Sequence, residues 1–262
     1  MKIVVCIKEV FNSDDVKIDK KTNNIDRRGA ELFINPYDLN AVELALELKE
    51  KFGAETYAIT MGIPSAENSL RECLAMGIDK GILVTDRALA GSDTIATSLA
   101  LAETIKKYVP GCDLILCGKH AIDAETSIVG PAIAERLGIA QLTYVDELVS
   151  LESGKITVKK ASENGDLEVE AKLPAMISVT GEVNKPRYMD LKNIRFAVSS
   201  PIEVVNTAKL GLAAEAVGVP GSPTVVGEMH MVERSAGACV MLSGSTVDIA
   251  RKIAEIAKTA AK

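Results

Sequence analysis

The segment 118–131, Gly-Lys-His-Ala-Ile-Asp-Ala-Glu-Thr-Ser-Ile-Val-Gly-Pro, concentrates the groups best suited to hold a small charged ligand. It follows a short apolar run, Leu114–Cys117, and its Gly130-Pro131 pair leads into a helical pattern. The hydroxyls of Thr126 and Ser127, with backbone N–H groups at that helix start, can cradle a phosphate, because unpaired donors and the helix dipole both favour an anion. The carboxylates of Asp123 and Glu125 can instead accept from ribose hydroxyls or an adenine amino group. Plain capping by Asp123 or Thr126 is compatible with either use. Lys119, Ala121, Ile122, Ala124, Ile128 and Val129 complete the loop. His120 reads as a structural loop residue, since no partner for proton transfer stands near it in sequence.

A ligand loop needs a scaffold, and the first 180 residues supply one. Short apolar runs (Ile3–Ile7, Tyr57–Met61, Ile82–Thr85, Leu114–Cys117, Leu142–Val145) are nearly continuous, as parallel strands covered on both faces should be. Between them lie stripes of helical period: Leu39, Val42 and Leu46, closed by Lys49; Ala66, Leu70, Cys73 and Leu74; Ile95, Leu99, Ala102 and Ile105; Ala132, Ile133 and Leu137. Asn35-Pro36 reads as N-cap and first helical residue. Ser65 with Asn68, and Asp93, are further cap candidates, and Gly53, Gly77, Gly111 and Gly138 fall just past helix ends. This alternation predicts an open, mainly parallel, doubly wound α/β sheet.

In such a sheet ligands bind beyond the carboxyl ends of the strands, where strand order reverses. That rule adds Cys6 and Lys8, Met61 with Gly62, and Thr85 with Asp86 to Gly118 and Lys119. Gly62 and Gly118 lack a Cβ and would admit close approach of a ligand.

Two stretches depart from the alternation. Residues 12–34 are a polar insert, with a hairpin expected around Thr22-Asn23-Asn24, and residues 154–173 alternate about Asn164-Gly165, a strong hairpin turn. Pro174–Val179 reads as one more strand. We therefore expect an α/β nucleotide-binding domain over 1–181, then an extended arm over 182–235 that reaches another chain. A C-terminal segment over 236–262 follows, with a helix from about Thr246 to Lys258 presenting Val247, Ala250, Ile253 and Ala257.

Composition narrows the function. The 262 residues carry 30 basic and 36 acidic side chains, a net charge of −6, and only five Tyr, four Phe and no Trp. The acidic balance argues against a nucleic-acid binder held by a broad basic face, and so few aromatics disfavour a base-stacking platform. Five cysteines without a C-x-x-C pair and two histidines make a disulfide framework or a metal site unexpected. The start of the chain is no secretory signal and no apolar run reaches membrane length, so the expected address is the cytoplasm. There is no G-x-G-x-x-G after a strand, no P-loop, no G-x-S-x-G and no H-E-x-x-H. A hydrolase lacks a nucleophile–base set, whereas a stand-alone ATP-binding stress or signalling module on a similar fold remains a competing class.

The residues do resemble a family. Val4–Val10, Asn35–Leu48, Leu74–Lys80, Gly118–Pro131 and Leu173–Ile194, in that order and over almost the whole chain, are similar to the β subunit of electron transfer flavoproteins. The last piece carries Leu-Pro-Ala, then Asn-x-Pro-Arg-Tyr and Leu-x-Asn-Ile. The resemblance implies a heterodimer with an α subunit and an adenine nucleotide held by this chain: AMP in simple members, FAD in electron-bifurcating ones that accept NADH. It carries over to Cys6, Lys8, Asn35, Pro36, Tyr37, Asp38, Met61, Gly62 and Gly118 through Val129 as nucleotide contacts. We expect nicotinamide contacts at the Met61-Gly62 and Thr85-Asp86 strand edges. Leu191 would be the anchor that enters a pocket on a partner acyl-CoA or hydroxyacid dehydrogenase, with ferredoxin or flavodoxin as a low-potential acceptor. Arg195 through Ser200 replaces a lysine-rich run of mitochondrial-type members, which puts the same dehydrogenase partners in doubt. Asp123-Ala124-Glu125-Thr126 with Val129-Gly130-Pro131 looks more like the bifurcating, anaerobe branch, so FAD is expected and AMP is the alternative.

Overall fold

The computed structural model describes residues 1–11, 17–19, 24–26, 31–163, 165–225, 227 and 239–260. The first half contains β1 (Lys2–Cys6), β2 (Glu9–Phe11), β3 (Lys17–Asp19), β4 (Asn24–Asp26), β5 (Leu32–Ile34), α1 (Pro36–Phe52), β6 (Glu55–Met61), α2 (Glu67–Met76), β7 (Lys80–Val84), α3 (Thr94–Tyr108) and β8 (Leu114–Gly118). Then come α4 (Val129–Leu137), β9 (Ala140–Glu152), β10 (Lys155–Ser162), β11 (Gly165–Lys172), β12 (Ala175–Val179), α5 (Leu191–Ser199), β13 (Ile202–Val205), α6 (Thr207–Leu210) and α7 (Thr246–Ala260). The chain divides into two compact units, Met1–Glu228 and Met229–Lys262.

Among the described residues nine strands form one sheet in the order β11-β10-β9-β12-β8-β1-β6-β7-β13. Every pairing from β9 across to β13 is parallel, and β10 and β11 add an antiparallel hairpin at one edge. The expected doubly wound α/β sheet is what forms. Its central strands are buried on both faces: Ile3 and Val5 of β1 pack with Leu44 and Leu70 of α1 and α2, while Val4 and Cys6 pack with Ile105 and Ile133 of α3 and α4. Near-continuous apolar runs follow from that double cover.

The insert between β1 and α1 pairs β2 with β5 and β3 with β4, antiparallel in both cases. The expected hairpin is present as β3–β4, although its turn, 20–23, lies outside the described residues, as does Asn164 of the second hairpin. Asp93 caps α3 by accepting from Ile95 and Ala96, as expected. Asn35 precedes α1 but makes no side-chain cap, and α2 starts after a 3₁₀ turn, Pro64–Ala66, with Ala66 and not Ser65 at its boundary. Gly53, Gly77 and Gly138 close α1, α2 and α4, whereas α3 already ends at Val109, before Gly111. On α3, Ala102 and Ile105 of the expected stripe are buried and Leu99 is half-buried, whereas Ile95 is exposed and Ala96, Ala100 and Leu101 join the buried face.

Where composition suggested an extended arm, residues 182–225 fold on their own unit. β13 adds the last strand beside β7, and α5 packs on α2. Few apolar stripes mark this region because much of it is held by polar contacts to distant residues. In the second unit α7 extends slightly past the expected helix, with Ser245 accepting from the Asp248 N–H at its start and Val247, Ile253 and Ile256 exposed.

Candidate functional site

Strand order reverses at β1. The chain builds β6 and β7 on one side and resumes with β8 on the other, so the ligand crevice of such a sheet opens beyond β1 and β8. Two residues at the start of α1 organise that rim. The Asp38 carboxylate accepts from the N–H of Lys8 after β1 and from the N–H of Gly118 at the end of β8, each at 2.8 Å. Asp38 is only 6% exposed. Burial pushes its carboxyl from 3.8 up to about 6, against the pull of the Gly118 and Lys8 donors. Asn35, fully buried, donates to the His120 carbonyl at 2.9 Å and accepts from the Ile122 N–H at 3.2 Å. Both side chains are therefore taken up in fixing the rim, and they shape the crevice from behind.

The close approach expected at Gly118 is to protein. A Cβ there would stand 2.6 Å from both Asp38 Oδ1 and Tyr37 Cβ. Gly130 likewise lets α4 sit on β8, since its Cβ would lie 2.7 Å from Cys117 Sγ. Tyr37 meets the His120 ring edge-on at 4.9 Å and receives the Lys119 ammonium over its face at 4.6 Å. Pro36, between Asn35 and Tyr37, is the first residue of α1.

The loop from Gly118 to Val129 is tightly built. Lys8 Nζ holds both oxygens of Asp123, at 2.6 and 2.8 Å, and the Asp123 side chain is nearly buried. Glu125 and Ser127 adopt left-handed backbone conformations, φ 54° and 56°. Ala124, Glu125 and Thr126 are exposed, as is Ile128. α4 then begins without a side-chain cap. Its first N–H donors, on Val129 and Gly130, have no partner within the helix, and Pro131 has no N–H to satisfy. Unpaired donors, two hydroxyls and small side chains at a helix N-terminus suit a phosphate-bearing nucleotide.

One contributor escaped the sequence reading. Tyr144 sits at a register shift in β9, with φ 58°, and its hydroxyl donates to Ser127 Oγ at 2.9 Å. Leu142–Val145 reads as an ordinary strand, and nothing in its pattern announces the bulge.

Cys6 faces the α3–α4 layer, and burial pushes its thiol, like that of Cys117, far up. Neither thiol is a nucleophile in that state. Met61 and Gly62 end the strand next to β1, and Thr85 follows the strand after that. The Asp86 carboxylate caps Ala88 and accepts from the Thr207 N–H and hydroxyl, which takes it up within its own unit. Leu191, the first residue of α5, is 85% exposed beside the fully exposed Tyr188. Among the described residues no group of three or more His, Cys, Asp or Glu is placed to hold a metal ion, and no helix is long and apolar enough to cross a membrane.

Comparison with known proteins agrees with this geometry. The family model of the electron transfer flavoprotein domain matches residues 22–210. The chain is 43% identical over 249 residues to the caffeyl-CoA reductase-Etf complex subunit CarD of Acetobacterium woodii, covering 95% of this chain and 94% of that one. It is 43% identical over 234 residues to Protein FixA of Azotobacter vinelandii, covering 87% and 83%. It is 42% identical over 226 residues to the electron transfer flavoprotein subunit beta of Clostridium acetobutylicum, covering 86% of each.

Proposed function

The chain belongs to the electron transfer flavoprotein family as a β-type subunit, and on that premise we propose that it pairs with an α-type subunit, holds FAD in the β1–β8 crevice and takes electrons from NADH. The observation that carries this reading is the uncapped start of α4 at the end of a loop fixed from three sides. The N–H groups of Val129 and Gly130, with Thr126 and Ser127, would take the phosphates. Ala121 and Ala124 would leave room for the rest of the coenzyme. When bound, the flavin ring supplies the hydride and single-electron chemistry. The protein binds, orients and partly shields it.

The loop pattern Asp123-Ala124-Glu125-Thr126 and Val129-Gly130-Pro131, and a relative named for a caffeyl-CoA reductase-Etf complex, favour a bifurcating carrier over one holding AMP. Electrons would then divide between an acyl-CoA or hydroxyacid dehydrogenase and a low-potential acceptor such as ferredoxin or flavodoxin. Leu191 supplies the anchor for the dehydrogenase, since a large exposed apolar side chain flanked by polar ones suits a pocket. The apolar face of α7 docks on the α-type subunit.

Co-expression with the α-type subunit, extraction of bound nucleotide and chromatography test the cofactor. NADH titration followed by absorbance tests the donor. The expected result is FAD in both subunits, with both flavins reduced by NADH. AMP in place of the second FAD, or a flavin that NADH leaves oxidised, would refute the bifurcating reading.

A further inference from the structure

We infer that Arg187 is a positioning residue that fixes the dehydrogenase-docking segment onto α1, the same helix whose start builds the nucleotide rim; this rests on the docking role proposed for Leu191. α1 carries a polar stripe, Asn40, Glu43, Glu47 and Glu50, at spacings of three, four and three residues, which places them on one face. Segment 184–187 lies along that stripe. Asn40 donates to the Asn184 carbonyl at 3.0 Å, and Asn184 Nδ2 donates back to the Asn40 carbonyl at 3.1 Å. Glu43 accepts from the Arg187 backbone N–H at 3.0 Å and from its Nε and Nη2 at 2.9 and 2.8 Å. Glu50 accepts from Arg187 Nη1 at 2.5 Å.

The far end of the segment is held as well. The Asp190 N–H donates to the Ala75 carbonyl, and Asp190 caps α5 through the Lys192 N–H. Arg71 of α2, oriented by Glu67, donates to the Ala197 carbonyl at 2.5 Å in the last turn of α5. Between these two clamps Tyr188 and Leu191 project into solvent.

A stability role alone does not explain Glu43. It is only 5% exposed while the Arg187 side chain is 33% exposed, and an ion pair that is half-buried or buried commonly gives no more stability than a well-packed apolar pair would. What the pair does provide is geometry, because a guanidinium forked onto a carboxylate fixes both distance and orientation. The same helix, five residues earlier, holds the ends of β1 and β8 through Asp38. At 1.5 Å per residue Asp38 and Glu43 stand about 7.5 Å apart along the axis. A docked dehydrogenase is thereby held in a set relation to the nucleotide rim, and pre-ordering the segment lowers the cost of docking.

The test uses the complex assembled with the α-type subunit and a purified acyl-CoA dehydrogenase that the unmodified complex reduces. KM for the dehydrogenase, kcat at saturation, flavin content and hydrogen exchange of residues 184–199 are measured for Arg187→Ala, Arg187→Lys and Leu191→Ala. Arg187→Ala should raise KM about tenfold, equivalent to about 1.4 kcal/mol, with kcat and flavin content unchanged and faster exchange confined to 184–199. Arg187→Lys should recover part of the loss, since an ammonium keeps the charge but not the fork. A raised KM for Leu191→Ala with an unchanged KM for Arg187→Ala would overturn this inference and leave the docking reading standing. An unchanged KM for Leu191→Ala would instead overturn the docking reading. Should Arg187→Ala fail to assemble, Glu50→Ala removes only the exposed partner and should raise KM about twofold; no change would again overturn the inference.

Discussion

Substituting Gly118 by Ala asks directly whether the proposed nucleotide rim depends on the seating of α1. The added Cβ would stand 2.6 Å from Asp38 Oδ1, 2.6 Å from Tyr37 Cβ and 2.7 Å from the Tyr37 carbonyl carbon. Carbon contacts are comfortable near 3.5 Å, so the first turn of α1 must retreat by about 1 Å. Overpacking of this kind costs about 1–3 kcal/mol. The retreat also carries Asp38 away from the N–H groups of Gly118 and Lys8, both now at 2.8 Å, and weakening one such buried charged hydrogen bond costs about 1.5–3 kcal/mol. Restricting the unfolded chain returns about 0.4–1 kcal/mol. The net expectation is a loss of about 2–5 kcal/mol in urea unfolding, with poorer nucleotide retention after gel filtration. Gly181→Ala is the matched control. Its Cβ would approach the same tyrosine at an ordinary 3.8 Å, and stability should stay within about 0.5 kcal/mol of the parent. A Gly118→Ala protein as stable as this control, with full nucleotide content, would refute the reasoning.

Asp38 itself should leave a signature in pH. Its folded pKa, about 6, lies above the ordinary 3.8, so the folded chain binds that proton more tightly than the unfolded chain. Stability therefore falls as pH rises from about 4 to about 6, by about 3 kcal/mol for two units; Asp38→Asn should lack this component, and parallel pH profiles from urea titrations would show the assignment to be wrong. Asp93→Ala removes the cap on Ile95 and Ala96 and the acceptor for the Thr224 N–H and hydroxyl. It should cost about 2 kcal/mol and speed hydrogen exchange across 218–224; unchanged exchange there would mean that Asp93 does not hold the segment. Lys8→Met and Asp123→Asn should each loosen loop 118–128, and the double variant should be no worse than either, with a coupling of about 1 kcal/mol because Lys8 is half exposed; additive effects would deny that the pair acts as a unit.

Much of the architecture was legible because each layer leaves its own period. β1, β6, β7 and β8 read as continuous apolar runs since both faces of the sheet are covered, and α1 and α2 show their buried stripes plainly. Loop 118–128 stands out for a different reason: a run of hydroxyls, carboxylates and small residues after a buried strand has little use in a core, and the structure shows it tightly held by Lys8, Asn35 and Tyr144. Three things were hidden. Asn35 looked like a cap, yet its amide joins residues 120 and 122, and a local reading cannot see a partner so far along the chain. Residues 182–225 looked like an arm because the bonds that seat them, such as Arg187 to Glu43 across 144 positions, leave no periodic trace. The turn of Tyr144 toward Ser127 depends on a bulge that changes no residue type.

The distribution of strain gives a physical reason to place the ligand where the fold rule places it. Among the described residues four non-glycine positions have left-handed backbones: Glu125, Ser127, Tyr144 and Ser153. Ser153 lies in the tight turn between β10 and its neighbour β9, where such a conformation is ordinary. The other three belong to one place, two in the loop and the third bonded to it through Ser127. Such conformations cost about 1–3 kcal/mol each and persist only where surrounding contacts over-determine them. Here the contacts are identifiable: Asn35 fixes residues 120 and 122, Lys8 fixes Asp123, and Tyr144 fixes Ser127. A loop that merely joined β8 to α4 could relax each strained residue by lengthening or by taking glycine at 125 and 127. Holding those positions with a carboxylate and a hydroxyl instead keeps polar groups on a rigid rim beside the first N–H donors of α4, an arrangement that suits the nucleotide proposed for this site better than it suits a simple connector.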